Sequence, residues 1–201
     1  MKDVKVAAVA FRSEFGDPAA NCESMLALVT EAAGAGADWV TFPEVALQGY
    51  HSDVARMQRE AEPLDGVHLG RLRRAAAQHT VTLSVGLALR LDDGRVLNSV
   101  LHIGPDGEFR GEPRCSGKVH VCPGNEQELF ATPRPEESFP VVDLGFAKVG
   151  TVICCAGTPL PTRTSVDQPR SPPPLSLQCI VAFAALFCSI ASSSICSVVT
   201  F

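Results

Sequence analysis

The feature that most constrains the fold is a succession of short, valine-rich apolar runs separated by stretches of helical spacing. Val4–Phe11 reads Val-Lys-Val-Ala-Ala-Val-Ala-Phe, the length and composition of a strand. Asp17-Pro-Ala-Ala then opens a helix, with Asp17 as N-cap and Pro18 in the first turn. Met25, Leu26, Val29 and Ala32 recur at helical spacing, and the glycines of Ala33-Gly-Ala-Gly-Ala-Asp end the pattern. Trp39-Val-Thr-Phe42 is the next strand. A helix of this length crosses over between two parallel strands. A second unit follows: a helix over Leu69–His79, a strand over Val81–Leu89, a tight turn at Asp92-Asp-Gly-Arg, a strand over Val96–Ile103 and a turn at Gly104-Pro-Asp-Gly. Phe139–Leu144 and Ala147–Cys154 are two further apolar runs around Gly145. The pattern predicts an α/β domain whose strands pair across turns as well as across helices, with no internal repeat.

The character of the chain changes after Gly157, so residues 1–157 are read as one domain. Residues 158–174 hold six prolines and read as an extended linker. Residues 175–201 form an apolar, serine-rich tail, and no charged residue occurs from Ser171 to Phe201. Three readings of that tail stand: a membrane-associated segment, a buried apolar segment, and a stretch foreign to the domain before it. The net charge of −5 argues against a nucleic-acid binder, which presents a basic face. The eight cysteines are Cys22, Cys115, Cys122, Cys154, Cys155, Cys179, Cys188 and Cys196. They form no compact disulfide framework, and Met1-Lys-Asp-Val-Lys opens straight into a strand without a secretory signal. The expected location is the reducing cytoplasm. Cys115, His120 and Cys122 match no zinc spacing, so no metal is expected.

Three side chains stand where chemistry needs them. Cys154 leaves the end of an apolar strand, held rigidly yet open to a cleft, as a covalent nucleophile must be. Cys155 is its rival; strand alternation turns the two to opposite faces. Glu44 follows Thr41-Phe-Pro and suits a general base beside a thiol. Lys118, in Gly117-Lys-Val-His120, would aim an ammonium at the oxygen that becomes negative in a tetrahedral intermediate. His120, two residues on in an extended stretch, would point the same way as Lys118. It ranks below Glu44 as a base, because no Asn or Asp orients it. Asn125-Glu126-Gln-Glu128-Leu-Phe130 adds two carboxylates, either of which could steer Lys118.

Glu44, Lys118 and Cys154, in that order, resemble the carbon–nitrogen hydrolase (nitrilase) superfamily. Phe42-Pro-Glu44-Val-Ala-Leu-Gln-Gly49-Tyr50 is similar to its glutamate segment, Asn98-Ser-Val-Leu-His-Ile-Gly-Pro-Asp-Gly to the strand and turn before its lysine, Lys118-Val-His120 to its lysine segment, and Gly150-Thr-Val-Ile-Cys154 to its nucleophile strand. The resemblance covers about residues 4–157. It implies an α-β-β-α sandwich that assembles as dimers or larger oligomers, and hydrolysis of a small amide or N-carbamoyl substrate without metal or cofactor. It implies Glu44 as base, Lys118 as oxyanion stabiliser, Cys154 as the residue that forms a thioester, and Glu126 rather than Glu128 as a further site glutamate. Cys155, Ala156, Gly157 and Thr158 depart from the family pattern, which has an aromatic residue, an acid and a Pro-Glu helix after the nucleophile. The family domain also continues well past residue 157. Two alternatives therefore stand beside the hydrolase: an inactive, truncated member, and a membrane-anchored binding module using residues 180–201.

Overall fold

The computed structural model describes residues 3–154 and two later strand segments, 178–183 and 194–200. The elements run β1 (Lys5–Ala10), α1 (Pro18–Gly34), β2 (Trp39–Thr41), α2 (Val54–Glu60), β3 (Glu62–Pro63), α3 (Val67–His79), β4 (Thr82–Arg90), β5 (Val96–Ile103), β6 (Phe109–Arg110), β7 (Ser116–Gly117), α4 (Asn125–Leu129), α5 (Pro135–Ser138), β8 (Val141–Asp143), β9 (Lys148–Ile153), β10 (Gln178–Phe183) and β11 (Ser194–Thr200).

Local chemistry starts the helices where the sequence says. Asp17 Oδ1 accepts the Ala20 N–H at 2.9 Å, an N-cap that satisfies one of the orphan donors of α1. At α3 the same service comes from a distance: Glu62 Oε1 accepts the N–H groups of His68 and Leu69 at 2.8 and 3.3 Å.

Two sheets result. The larger is ordered β11-β1-β2-β4-β5-β6, with β3 also on β4 and β7 on β5. β1, β2 and β4 are mutually parallel, as the crossover helices require. β4 and β5 form a long antiparallel hairpin with Leu83 opposite Ile103 and Arg90 opposite Val96. The smaller sheet is ordered β10-β9-β8, with β9 parallel to β10 and antiparallel to β8.

Strand alternation divides the large sheet into two dry faces. Val40, Leu83, Val85, Leu101 and Ile103 pack against Cys22, Met25 and Val29 of α1 and Leu69, Leu72 and Ala76 of α3. Each fully buried Leu or Val here contributes about 1.5–3 kcal/mol. The opposite face meets the small sheet: Trp39 packs on Val142, Leu144 and Val149, and Val100 packs on Ile153. The layers among the described residues are therefore helix, sheet, sheet, and the mixed α/β class agrees with the sandwich expected from the sequence.

The region read as linker, 158–174, lies outside the described residues. Within the region read as tail, β10 extends the small sheet and β11 pairs antiparallel with β1. Among the described residues no helix is long and apolar enough to cross a membrane.

Candidate active site

Four polar side chains from separate segments, Glu44, Asn98, Lys118 and Glu126, meet in one place. Glu44 lies in the turn after β2, and the chain there is pinned to β4. Phe42 N–H donates to the Ser84 carbonyl at 2.9 Å, and Leu47 N–H to the Gly86 carbonyl at 3.3 Å. The buried Gln48 side chain then imitates a neighbouring strand: its Oε1 accepts the Ala88 N–H at 2.8 Å and its Nε2 donates to the Ala88 carbonyl at 3.3 Å. The turn passes so close to β4 that a Cβ on Gly86 would lie 2.1 Å from the Pro43 carbonyl oxygen. Gly86 is thus required by close backbone approach.

Lys118 follows β7, and its N–H continues the pairing with β5 by donating to the Asn98 carbonyl at 2.8 Å. The residue is only 3 % exposed. It donates to Glu126 Oε1 at 2.6 Å and to Glu44 Oε1 at 3.0 Å. Burial alone would lower the Lys118 pKa, but the bond to Glu126 and the Glu44 charge outweigh it and hold the ammonium above its ordinary range. Burial likewise works against the ionised form of Glu126. The Lys118 bond and the Cys122 N–H, which donates to Glu126 Oε2 at 2.6 Å, overcome that and bring its carboxyl below the usual value.

Asn98, on β5 and 2 % exposed, joins the two acids. Its Nδ2 donates to Glu44 Oε1 at 2.6 Å and to Glu126 Oε1 at 3.3 Å. The two carboxylates are therefore used unequally. Glu126 has both oxygens engaged. Glu44 takes both the Asn98 amide and the Lys118 ammonium on Oε1. Of the three N–H donors on Lys118, the carboxylates occupy two.

Cys154 is half-buried at the exit of β9, packed with Val100 and Ile153. β9 is keyed to β5 one residue pair earlier, where His102 Nε2 meets Thr151 Oγ1 at 3.0 Å. Successive contacts, His102 with Thr151 and then Val100 with Ile153, run in step, so the exit of β9 points along β5 toward Asn98. Two residues of strand span about 7 Å. His102 is itself the middle of a buried chain: Trp39 Nε1 donates to Ser84 Oγ at 2.7 Å, and Ser84 Oγ bonds His102 Nδ1 at 2.8 Å. Burial pushes the His102 pKa down to about 4, so its ring is neutral. The backbone is left-handed at two places beside this chemistry: Val45, directly after Glu44, has φ +48°, and Cys154 has φ +52°. For a β-branched residue such as Val45 that is a genuine outlier.

Glu44, Lys118 and Glu126 thus form one cluster. Glu128, the other acid of its segment, is exposed. His120 departs from expectation. It lines an open hollow with Val119, Val121, Cys122, Gln127 and Phe130, in which Lys118 takes no part. The extended pairing ends with β7, and residues 119–120 bend away, so the two-residue alternation assumed from Lys118 to His120 is broken. Cys155 lies outside the described residues. Asn98 received no role from the sequence. The available signal was an amide inside an otherwise apolar strand, Val96-Leu-Asn-Ser-Val-Leu.

Comparison with known proteins bears on the same residues. The family model described as carbon-nitrogen hydrolase matches residues 5–159. The chain is 28% identical over 163 residues to an aliphatic nitrilase from Rhodococcus rhodochrous, covering 75% of this chain and 43% of that protein. Its structure is similar to that of a CN-hydrolase superfamily protein from Xanthomonas campestris that carries an arsenic adduct in its active site. That likeness has a TM-score of 0.65 and 26% identity, and covers 77% of this chain and 54% of the other. An amidase from Nesterenkonia sp. shares the fold, with a TM-score of 0.64, 18% identity, and coverage of 75% and 55%. The chain spans about half the length of the relatives it matches. The matched region begins with β1 and extends past Cys154, taking in Glu44, Lys118 and Glu126 on the way, and the chain belongs to the carbon-nitrogen hydrolase family.

Proposed function

We propose that the chain's site hydrolyses a non-peptide carbon–nitrogen bond in a small amide or N-carbamoyl compound, through a thioester on Cys154. The observation that carries this reading is the unequal use of the two carboxylates. Glu126, bonded on both oxygens, holds Lys118; Glu44, whose bonds to Asn98 and Lys118 both fall on Oε1, is the acid that offers its other oxygen for proton transfer. In the first half-reaction the Cys154 sulfur attacks the substrate carbonyl carbon while Glu44 takes the thiol proton. The third Lys118 N–H meets the developing oxyanion. Collapse breaks the C–N bond, Glu44 passes its proton to the departing ammonia or amine, and the acyl group remains on sulfur. Water then gives a proton to Glu44 and attacks the thioester, and collapse of the second tetrahedral species returns the proton to Cys154 as the acid leaves.

The test is turnover by the purified chain on a short aliphatic amide, an N-carbamoyl amino acid and an aliphatic nitrile, with mass spectrometry of the acyl adduct. Cys154→Ala should abolish both turnover and adduct, whereas Cys155→Ala should keep both. Equal loss in the two variants would remove the assignment. A second reading is a catalytically silent member, because Cys155, Ala156, Gly157 and Thr158 depart from the family pattern after the nucleophile. It predicts well-folded protein with no adduct on any of the three substrates.

A further inference from the structure

We infer that Asn98 is a positioning residue that selects which oxygen of Glu44 exchanges protons, an inference that rests on the hydrolytic reading of the site. Asn98 is fixed by its strand: its carbonyl accepts the Lys118 N–H at 2.8 Å, so it stands opposite the lysine segment whatever its side chain does. Both side-chain hydrogens are spent on carboxylates, at 2.6 Å to Glu44 and 3.3 Å to Glu126. This contact sets the amide's orientation, because the reverse would put a carbonyl oxygen against two carboxylate oxygens. The consequence is an orphan. Asn98 Oδ1 is buried and has no hydrogen-bond partner among the described residues. A buried acceptor without a partner destabilises a fold, and a leucine in this apolar strand would avoid it. Packing therefore does not account for an amide here, whereas its two donors do.

Those donors act on one oxygen of each acid. Glu44 Oε1 receives both Asn98 and Lys118, so it is the poorer proton acceptor of the two oxygens and directs proton exchange to Oε2. A hydrogen bond to a carboxylate also favours its ionised form. The titratable groups around Glu44 are Lys118 beside β7, Glu126 on α4, Tyr50 on its own loop and Cys154 at the exit of β9.

The experiment compares Asn98→Leu and Asn98→Asp with the unaltered chain, following hydrolysis and, separately, iodoacetamide alkylation of Cys154 against pH. Asn98→Leu should keep or raise the melting temperature, because the orphan is gone. It should lower kcat about 10²-fold with little change in KM, and move the acid limb of the profile up by about one pH unit, the loss of one hydrogen bond to a charged group. Asn98→Asp, which adds a third carboxylate, should move that limb further. An Asn98→Leu variant with unaltered kcat and an unmoved acid limb would overturn the inference. If the unaltered chain hydrolyses nothing, the hydrolytic reading fails, yet the alkylation profile still decides about Asn98. Coincident profiles in the Leu variant and the unaltered chain refute it, and an upward shift upholds it.

Discussion

Replacing Lys118 by methionine tests the electrostatics of the cluster directly. Methionine keeps the length and packing of the side chain and removes the charge and all three donors. The ammonium lies 2.6 Å from Glu126 and 3.0 Å from Glu44, and each attraction is worth about 6 kcal/mol at an effective dielectric of about 20. Regained hydration of the ammonium offsets much of this. What remains is the penalty of leaving two buried carboxylates without their cation, about 3–5 kcal/mol at pH 7. In a chain of this size that lowers the melting temperature by about 10 °C. The pH dependence gives a second, independent sign. Glu126 is depressed below its ordinary value of 4.5 and Lys118 raised above its ordinary 10.5. The cluster's stabilisation is therefore fully present between those two ordinary values. It is lost as pH falls through the folded value of Glu126 or rises through that of Lys118. In the variant the opposed carboxylates bind a proton more readily, so its deficit is largest at pH 7 and shrinks toward pH 4. Urea denaturation at both pH values reads this, and adding Glu126→Gln should recover part of the loss at pH 7. A deficit below about 1 kcal/mol at pH 7, or one of equal size at pH 4, would refute the reasoning.

Two further outcomes follow from other contacts. Gly86→Ala should destabilise the fold by about 1–3 kcal/mol and lower kcat out of proportion, because the added Cβ meets the Pro43 carbonyl oxygen and the Glu44 Cα rather than a yielding side chain; a melting curve beside a rate measurement separates the two effects. His102→Leu strands the hydroxyls of Ser84 and Thr151 and should cost about 2–4 kcal/mol in urea titration. His102 titrates near pH 4 when folded, against 6.5 ordinarily, so the unaltered chain should lose stability as pH falls from 6.5 to 4, and the variant should lose less over that interval.

The elements built from local signals were legible. Asp17 and Pro18 mark the start of α1, Val96–Ile103 is the strand read from its composition, and the turn at Asp92–Arg95 joins a hairpin. The short helices α2, α4 and α5 escaped because they carry too few buried residues to show a period. In α4 only Glu126 and Leu129 are buried. At the site, residue types and strand exits pointed to Glu44 and Lys118, the family resemblance preferred Glu126 to Glu128, and geometry joins the three. The role of Asn98 was not legible, because it depends on partners 54 and 28 positions away in the chain. The buried chain of Trp39, Ser84, His102 and Thr151 was hidden for the same reason. Each of these residues reads locally as a strand position; the pairing of β2, β4 and β5 makes the first three neighbours, and the stacking of the second sheet adds Thr151.

The left-handed backbone at Val45 bears on how far this protein can be made to tolerate heat. Such a conformation in a β-branched residue is sustained only by what surrounds it, here complete burial and the Gly49 N–H held on the Val45 carbonyl at 2.9 Å, against a local cost of about 1–3 kcal/mol. An engineer ranking positions for thermal hardening would choose it early, since glycine or asparagine sits there without protest. The gain would come from removing the strain, but a residue with that freedom no longer fixes the bend that aims the neighbouring acid, so a hardier protein made this way should also be a slower one.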